Sequence, residues 1–121
     1  MQTKDRILSA VNALLEGKGT NLEVLVRDFC GSGVEVAVQN NAFSYTFYLH
    51  DNRLASSRIE VAESYRRQGI ASNLVAVAER LAKQYGCLDA IAMQVNSPKA
   101  ASFWEKQGYE YINCRDMYKK L

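Results

Sequence analysis

The chain holds one proline, one histidine and one tryptophan in 121 residues. A single proline leaves no material for a proline-rich linker or a collagen-like repeat, and no low-complexity segment or internal repeat interrupts the sequence. The one histidine, His50, and three cysteines, Cys30, Cys87 and Cys114, show no Cys-x-x-Cys or other metal-ligand spacing, so no metal is expected. Three thiols also make no even-numbered disulfide framework. They read as reduced and mostly buried, with Cys87 and Cys114 as small core hydrophobes. Charge of one sign is equally lacking: 15 Lys and Arg against 13 Asp and Glu give a net charge of +2, which argues against a nucleic-acid partner. No apolar run reaches membrane-spanning length. The opening "MQTKDRILSAVNALLEGKG" interleaves polar with apolar residues and so lacks the continuous segment of a signal peptide. The expectation is one domain over residues 1–121, cytoplasmic, with no membrane contact.

What is present is a regular succession of elements. Ile7, Leu8, Val11, Leu14 and Leu15 recur at helical spacing, with Thr3 as N-cap and Gly17 as stop, and predict a helix over 3–17. "LEVLVRDFC" and "VEVAVQN" are β-branched runs joined by "GSG", a hairpin pattern. In residues 42–50, Phe43, Tyr45, Phe47 and Leu49 alternate with Ser44, Thr46, Tyr48 and His50 as in a two-faced strand, one that would offer a pairing edge if uncovered. After the turn "HDNR", a strand "LASSRIEV" runs into "AESYRRQGI". A helix follows with Ile70, Leu74, Val77, Ala78, Leu81, Ala82 and Tyr85 on one stripe and Gly86 as its stop. "CLDAIAMQV" reads as a strand, Ser97-Pro98 as the start of a helix that ends at Gly108, and "YEYINCRDMYKKL" as one or two closing strands. The fold class is α/β (α+β mixed): a mixed, mostly antiparallel central sheet with helices on both faces.

The second helix begins in an unusual way, with Arg66, Arg67, Gln68 and Gly69 in consecutive positions. The first turn of a helix carries unpaired N–H groups and the positive end of the dipole, and glycine lets a ligand come close to the backbone. Amides from Gln68 to Ser72 can surround a phosphate, Ser72 can add a hydroxyl, and Arg66 or Arg67 can neutralise charge. An isolated glycine-containing stretch is more often a plain turn. The pattern is neither a Walker loop nor a three-glycine dinucleotide fingerprint.

A second stretch adds to the first. "IEVAESYRRQGIASNLVAVAE" resembles the coenzyme A signature of the GNAT-family N-acetyltransferases, an apolar-x-Val strand end before Arg/Gln-x-x-Gly-x-Gly/Ala, carried here by Ile59, Val61, Arg66, Gly69 and Ala71. About forty residues on, "SPKAASFWEKQGYE" resembles that family's second signature through Ala100, Phe103, Trp104, Glu105, Lys106, Gly108 and Tyr109. The resemblance covers residues 53–121 and thins before them. It implies acetyl-CoA as cosubstrate: backbone groups of Ile59 and Val61 would hold the pantetheine arm, and Arg66, Arg67, Gln68, Gly69, Ile70, Ala71 and Ser72 the pyrophosphate. The implied activity is acetyl transfer to an amine by direct attack, with a small molecule or a protein as acceptor.

Two departures from the family pattern concern the acid and the base. The family often places a Glu on the strand before the loop. Here that stretch reads Ala55, Ser56, Ser57, and Glu60 is the nearest carboxylate, with His50 and Asp51 as further candidates. A tyrosine often fills the second aromatic slot of the second signature as acid. Here it is Trp104, which leaves Tyr109 or Tyr111 to substitute. A catalytically reduced, acyl-CoA-binding regulatory module is therefore an alternative to the enzyme, and a homodimer is a candidate assembly.

Overall fold

The computed structural model of the chain describes residues 3–14 and 22–121. In order, the elements are α1 (Thr3–Leu14), β1 (Glu23–Phe29), β2 (Gly33–Gln39), β3 (Phe43–His50), β4 (Arg53–Val61), α2 (Ile70–Gln84), β5 (Asp89–Ala92), α3 (Pro98–Lys106), β6 (Glu110–Tyr111) and β7 (Met117–Lys120), with a 3-10 turn at Glu63–Tyr65. Seven strands form one sheet in the order β1-β2-β3-β4-β5-β7-β6. Every neighbouring pair is antiparallel except β4 with β5. This is the mixed, mostly antiparallel sheet expected from the sequence.

Local chemistry accounts for most of the strand layout. β1 and β2 pair from Glu23↔Gln39 to Phe29↔Gly33 around the short turn that "GSG" predicts. In β3 the alternation is complete: Phe43, Tyr45, Phe47 and Leu49 are buried, while Ser44, Thr46, Tyr48 and His50 are half-buried. Asp51 and Asn52, at φ 53° and 60°, both adopt the left-handed conformation of a two-residue hairpin turn and reverse the chain into β4. Between Thr46↔Arg58 and Phe47↔Ser56 the register shifts, leaving Ser57 as the extra residue of a bulge.

The helices complete one core. Ile7 and Val11 of α1 are fully buried, as are Leu74, Val75, Ala78, Leu81 and Ala82 of α2, against the apolar faces of β2 and β3. Full burial of each large aliphatic side chain contributes about 1.5–3 kcal/mol. α1 and α2 meet each other, and α1 lies on β1 while α2 lies on β3 and β4. The helix α1 begins at Thr3, and the expected stop at Gly17 lies outside the described residues.

Two expectations need correction. The strand over 42–50 is no pairing edge, because β3 is flanked by β2 and β4; the outer strands are β1 and β6. Of the three free thiols only Cys87 is buried, while Cys30 and Cys114 are exposed, both in connections where no core layer covers them. Among the described residues, no helix is long and apolar enough to cross a membrane.

Candidate active site

The site begins where two neighbouring strands part. β4 and β5 run parallel only from Arg53↔Asp89 to Ser56↔Ala92, and the Met93 N–H donating to Ser56 O at 3.0 Å makes the last rung. Gln94 then takes a left-handed φ of 57°, and its N–H donates to Asp116 Oδ1 at 3.0 Å. Val95 N–H turns to Arg115 O. Asp116 is itself fixed by Asn113, whose Nδ2 donates to it at 3.1 Å. The Gln94 N–H and the Asn113 side chain hold the Asp116 carboxyl below the usual carboxylate range. The chain after β5 is thus drawn towards the 113–116 turn. Among the described residues no strand pairs with β4 on that side beyond Ser56.

The far end of β4 feeds the helix start. Arg66 Nε donates to Val61 O at 3.0 Å, folding the connection back against the strand end. Arg67 and Gly69 take φ values of 66° and 75°. At Gly69 a Cβ would meet nothing within 4 Å, so glycine is required by the backbone conformation and the space in front of it is open. The first rung of α2 runs from Asn73 N–H to Gly69 O at 3.0 Å, which leaves the amides of Ile70, Ala71 and Ser72 ahead of the ladder. Gly69 provides no side-chain cap. Ser72 Oγ accepts from Gln107 Nε2 at 3.0 Å, so its own hydrogen is left to be donated elsewhere.

Both features open onto one cleft of about 1300 Å³. Ile59, Glu60, Val61, Arg66, Arg67, Gly69, Ile70, Ala71 and Ser72 all line it, whereas Gln68 does not. α3 supplies the facing wall through Lys99, Ala100, Phe103 and Trp104. Its start is set by Ser97, whose Oγ accepts from Ala100 N–H at 3.1 Å with Pro98 in the first helical position. Asn40, Asn41, Ser44 and Tyr65 also line the cleft, with Asn41 Nδ2 donating to the Tyr65 hydroxyl at 2.8 Å. Nothing local in the sequence distinguishes these residues or Lys99 from ordinary turn and surface positions.

The candidate acid and base positions are dispersed. Tyr109 stands apart from the cleft: it is buried, and its hydroxyl donates to Glu79 Oε2 at 2.8 Å. Burial and the facing Glu79 push its pKa far above that of a free phenol. Lys119 Nζ donates to Glu79 Oε1 and to Gln107 O, both at 2.9 Å, so this cluster ties α2, the end of α3 and β7 together. Trp104 is 6% exposed, with its ring 4.9 Å from that of Tyr109. Glu60 is exposed at the cleft and its Oε1 lies 2.9 Å from Arg58 Nε. Its strand partner Ser44 is on the face of β3 turned away from the core. His50 and Asp51 pair at the opposite end of the sheet, where they line a separate hollow.

The family model described as the acetyltransferase (GNAT) family matches residues 33–109, which span β2 through the end of α3. The chain belongs to the GNAT acetyltransferase family. Solved structures with the same fold include a GNAT acetyltransferase from Staphylococcus aureus, 17% identical, covering 74% of this chain and 68% of that one with a TM-score of 0.59. A Bacillus subtilis acetyltransferase in complex with CoA is 18% identical, covering 84% of this chain and 99% of that one, with a TM-score of 0.57. The PaiA N-acetyltransferase from Thermoplasma acidophilum, in complex with coenzyme A, is 18% identical and covers 98% of this chain and 72% of that one, with a TM-score of 0.61. No curated protein sequence matches the chain. As a GNAT member it is an acyltransferase-family protein, and the parting of β4 from β5 beside the α2 start is the part of its geometry with room for an acyl carrier.

Proposed function

We propose that the chain is an acetyl-CoA-dependent N-acetyltransferase in which an amine attacks the thioester directly. The observation that carries this reading is that an anion-binding helix start and an unpaired strand edge open onto the same cleft. The coenzyme diphosphate would sit on the amides of Ile70, Ala71 and Ser72, beside Gly69, with Arg67 supplying charge and the remaining N–H groups of Arg66 turned to it. The pantetheine arm would lie along Ile59 to Val61, its amides pairing with the edge that β5 leaves open. The two coenzyme A complexes among the fold relatives support coenzyme A as the ligand.

In the reaction, the neutral amine nitrogen bonds to the carbonyl carbon, a β4 amide near Val61 holds the developing oxyanion, and the C–S bond breaks to leave the amide product and a thiolate. The proton lost by the nitrogen goes to Glu60, the carboxylate on the cleft, by way of water. A thiol pKa of about 8.5 lets the thiolate leave without a proton donor. That agrees with Tyr109 being committed to Glu79 and with a tryptophan, which has no acidic proton, in the aromatic slot. We assign the whole of residues 1–121 to this one domain and place it in the cytoplasm.

A second reading, a regulatory module that binds acyl-CoA without turnover, is favoured by the same sequestered Tyr109 and buried Trp104. Thermal unfolding with acetyl-CoA tests what the two readings share. Saturation at about 100 Kd should stabilise the fold by about 2.7 kcal/mol. Gly69→Val should lower stability by about 1–2 kcal/mol, through a left-handed β-branched residue, and abolish the ligand-dependent shift. An unshifted melting curve at millimolar acetyl-CoA overturns both readings. Thiol release across small amines and peptide N-termini, present in the wild type and reduced in Glu60→Gln, separates the enzyme from the module.

A further inference from the structure

We propose that β1 is the seam of a homodimer, pairing antiparallel with β1 of a second copy about a two-fold axis at Leu25. β1 is the outer strand of the sheet, hydrogen-bonded to β2 on one side and, among the described residues, to no strand on the other. Soluble proteins usually protect such an edge with proline, lysine, a bulge or a very short strand. β1 has no proline, lysine or bulge: it reads Glu-Val-Leu-Val-Arg-Asp-Phe, spans 7 residues and pairs with β2 in unbroken register. Its charged side chains, Glu23, Arg27 and Asp28, are of both signs, so they can pair with a second copy as well as guard the edge. Its central Leu25 is 49% exposed, among the most exposed large apolar side chains described.

Charge complementarity identifies the occupant. A continuous sheet across a two-fold axis perpendicular to it pairs residues on the same face, so the axis must pass through a residue of the strand. With the axis at Leu25, Leu25 meets Leu25, Val24 meets Val26, and Glu23 meets Arg27 twice. Moving the axis to Val26 sets Leu25 against Arg27 and Val24 against Asp28. At Arg27 it opposes two like charges, and at Val24 it sets Glu23 against Leu25. Within residues 23–27 only the Leu25 register matches every pair; Asp28 then lies across from Leu22, just outside the strand. The flanking contacts extend the same ladder. Within one copy, Gln39 Nε2 donates to Glu23 Oε2 at 2.9 Å, and Arg27 Nε lies 3.2 Å from Glu35 Oε1. Pairing at Leu25 therefore makes a row Glu35, Arg27, Glu23, Gln39 that crosses the seam, its three charges alternating in sign and ending on a neutral amide donor. The β4 edge of the cleft is three strands further in than β1; of the row, Gln39 lines the cleft and Glu23, Arg27 and Glu35 do not.

Sedimentation velocity on the full chain tests this. The wild type should sediment at twice the 13.6 kDa chain mass. Leu25→Lys, which places two ammonium groups on the axis, should sediment as a monomer with an unchanged circular dichroism spectrum. Glu23→Lys alone and Arg27→Glu alone should each weaken association by about tenfold or more. An equimolar mixture of those two should restore the dimer, because each seam pair then joins opposite charges. Restoration by mixing cannot arise from misfolded variants. The proposal is overturned if the wild type is monomeric at its highest soluble concentration, if Leu25→Lys leaves a dimer intact, or if the charge variants do not recombine on mixing.

Discussion

One carboxylate, Asp89, joins three strands. It accepts from Arg53 Nε at 2.8 Å and Nη2 at 3.1 Å on β4, and from the Tyr118 hydroxyl at 3.1 Å on β7. The Arg53 guanidinium holds the Asp89 carboxyl below its usual range. A carboxyl with a depressed folded-state pKa contributes stability that is present above its unfolded pKa and lost as pH falls through the folded one. Asp89→Asn should therefore lower stability at neutral pH by about 1 kcal/mol, a figure kept small because Arg53 is 44% exposed. The gap to wild type should close as pH falls below about 4. Denaturant titrations of both proteins across that range check it. At this scale the sequence was legible where chemistry is local. Gly69 stood out because a helix start has to turn there, and the φ of 75° shows the demand. Tyr109 and Glu60 were harder to judge, since nothing in the sequence says that a tyrosine will meet a glutamate thirty positions earlier or that Glu60 will lie beside Arg58.

At the scale of elements, α3 is set by its cap and carries one wall of the cleft. Ser97→Ala removes the acceptor of the Ala100 N–H and should cost about 1 kcal/mol, read as a lower melting temperature. Because Pro98 still favours the helix, acetyl-CoA should bind more weakly to this variant but not cease to bind. Ser97-Pro98, the β3 alternation and the α2 stripe are all readable from neighbouring residues alone. β5 was not. "CLDAIAMQV" has a strand's composition, yet pairing ends at Ala92, because Gln94 is turned by Asp116, more than twenty residues away. The parting of β4 and β5 that makes the cleft was legible only through likeness to a family, since its cause is a contact between distant segments.

For the molecule as a whole, stability should be graded across the sheet. β3 and β4 are flanked on both sides and carry Tyr45, Phe47 and Leu54 at 2% exposure or less. β6 has two residues, both exposed. Hydrogen exchange should find the central amides of β3 and the paired part of β4 slowest, approaching the global unfolding limit, with β6 exchanging much faster. The sheet order itself was beyond the sequence. Hairpins announce their neighbours, but nothing in "MYKKL" says that β7 will insert between β5 and β6.

The gap along β4 also has a length. From the last rung at Ser56 to Val61, where Arg66 closes the strand, five residues span about 16 Å at about 3.3 Å each. A thioester held near Val61, close to the α2 start, would take up only the near end of that interval and leave the stretch back towards Ser56 for the acceptor that brings the amine.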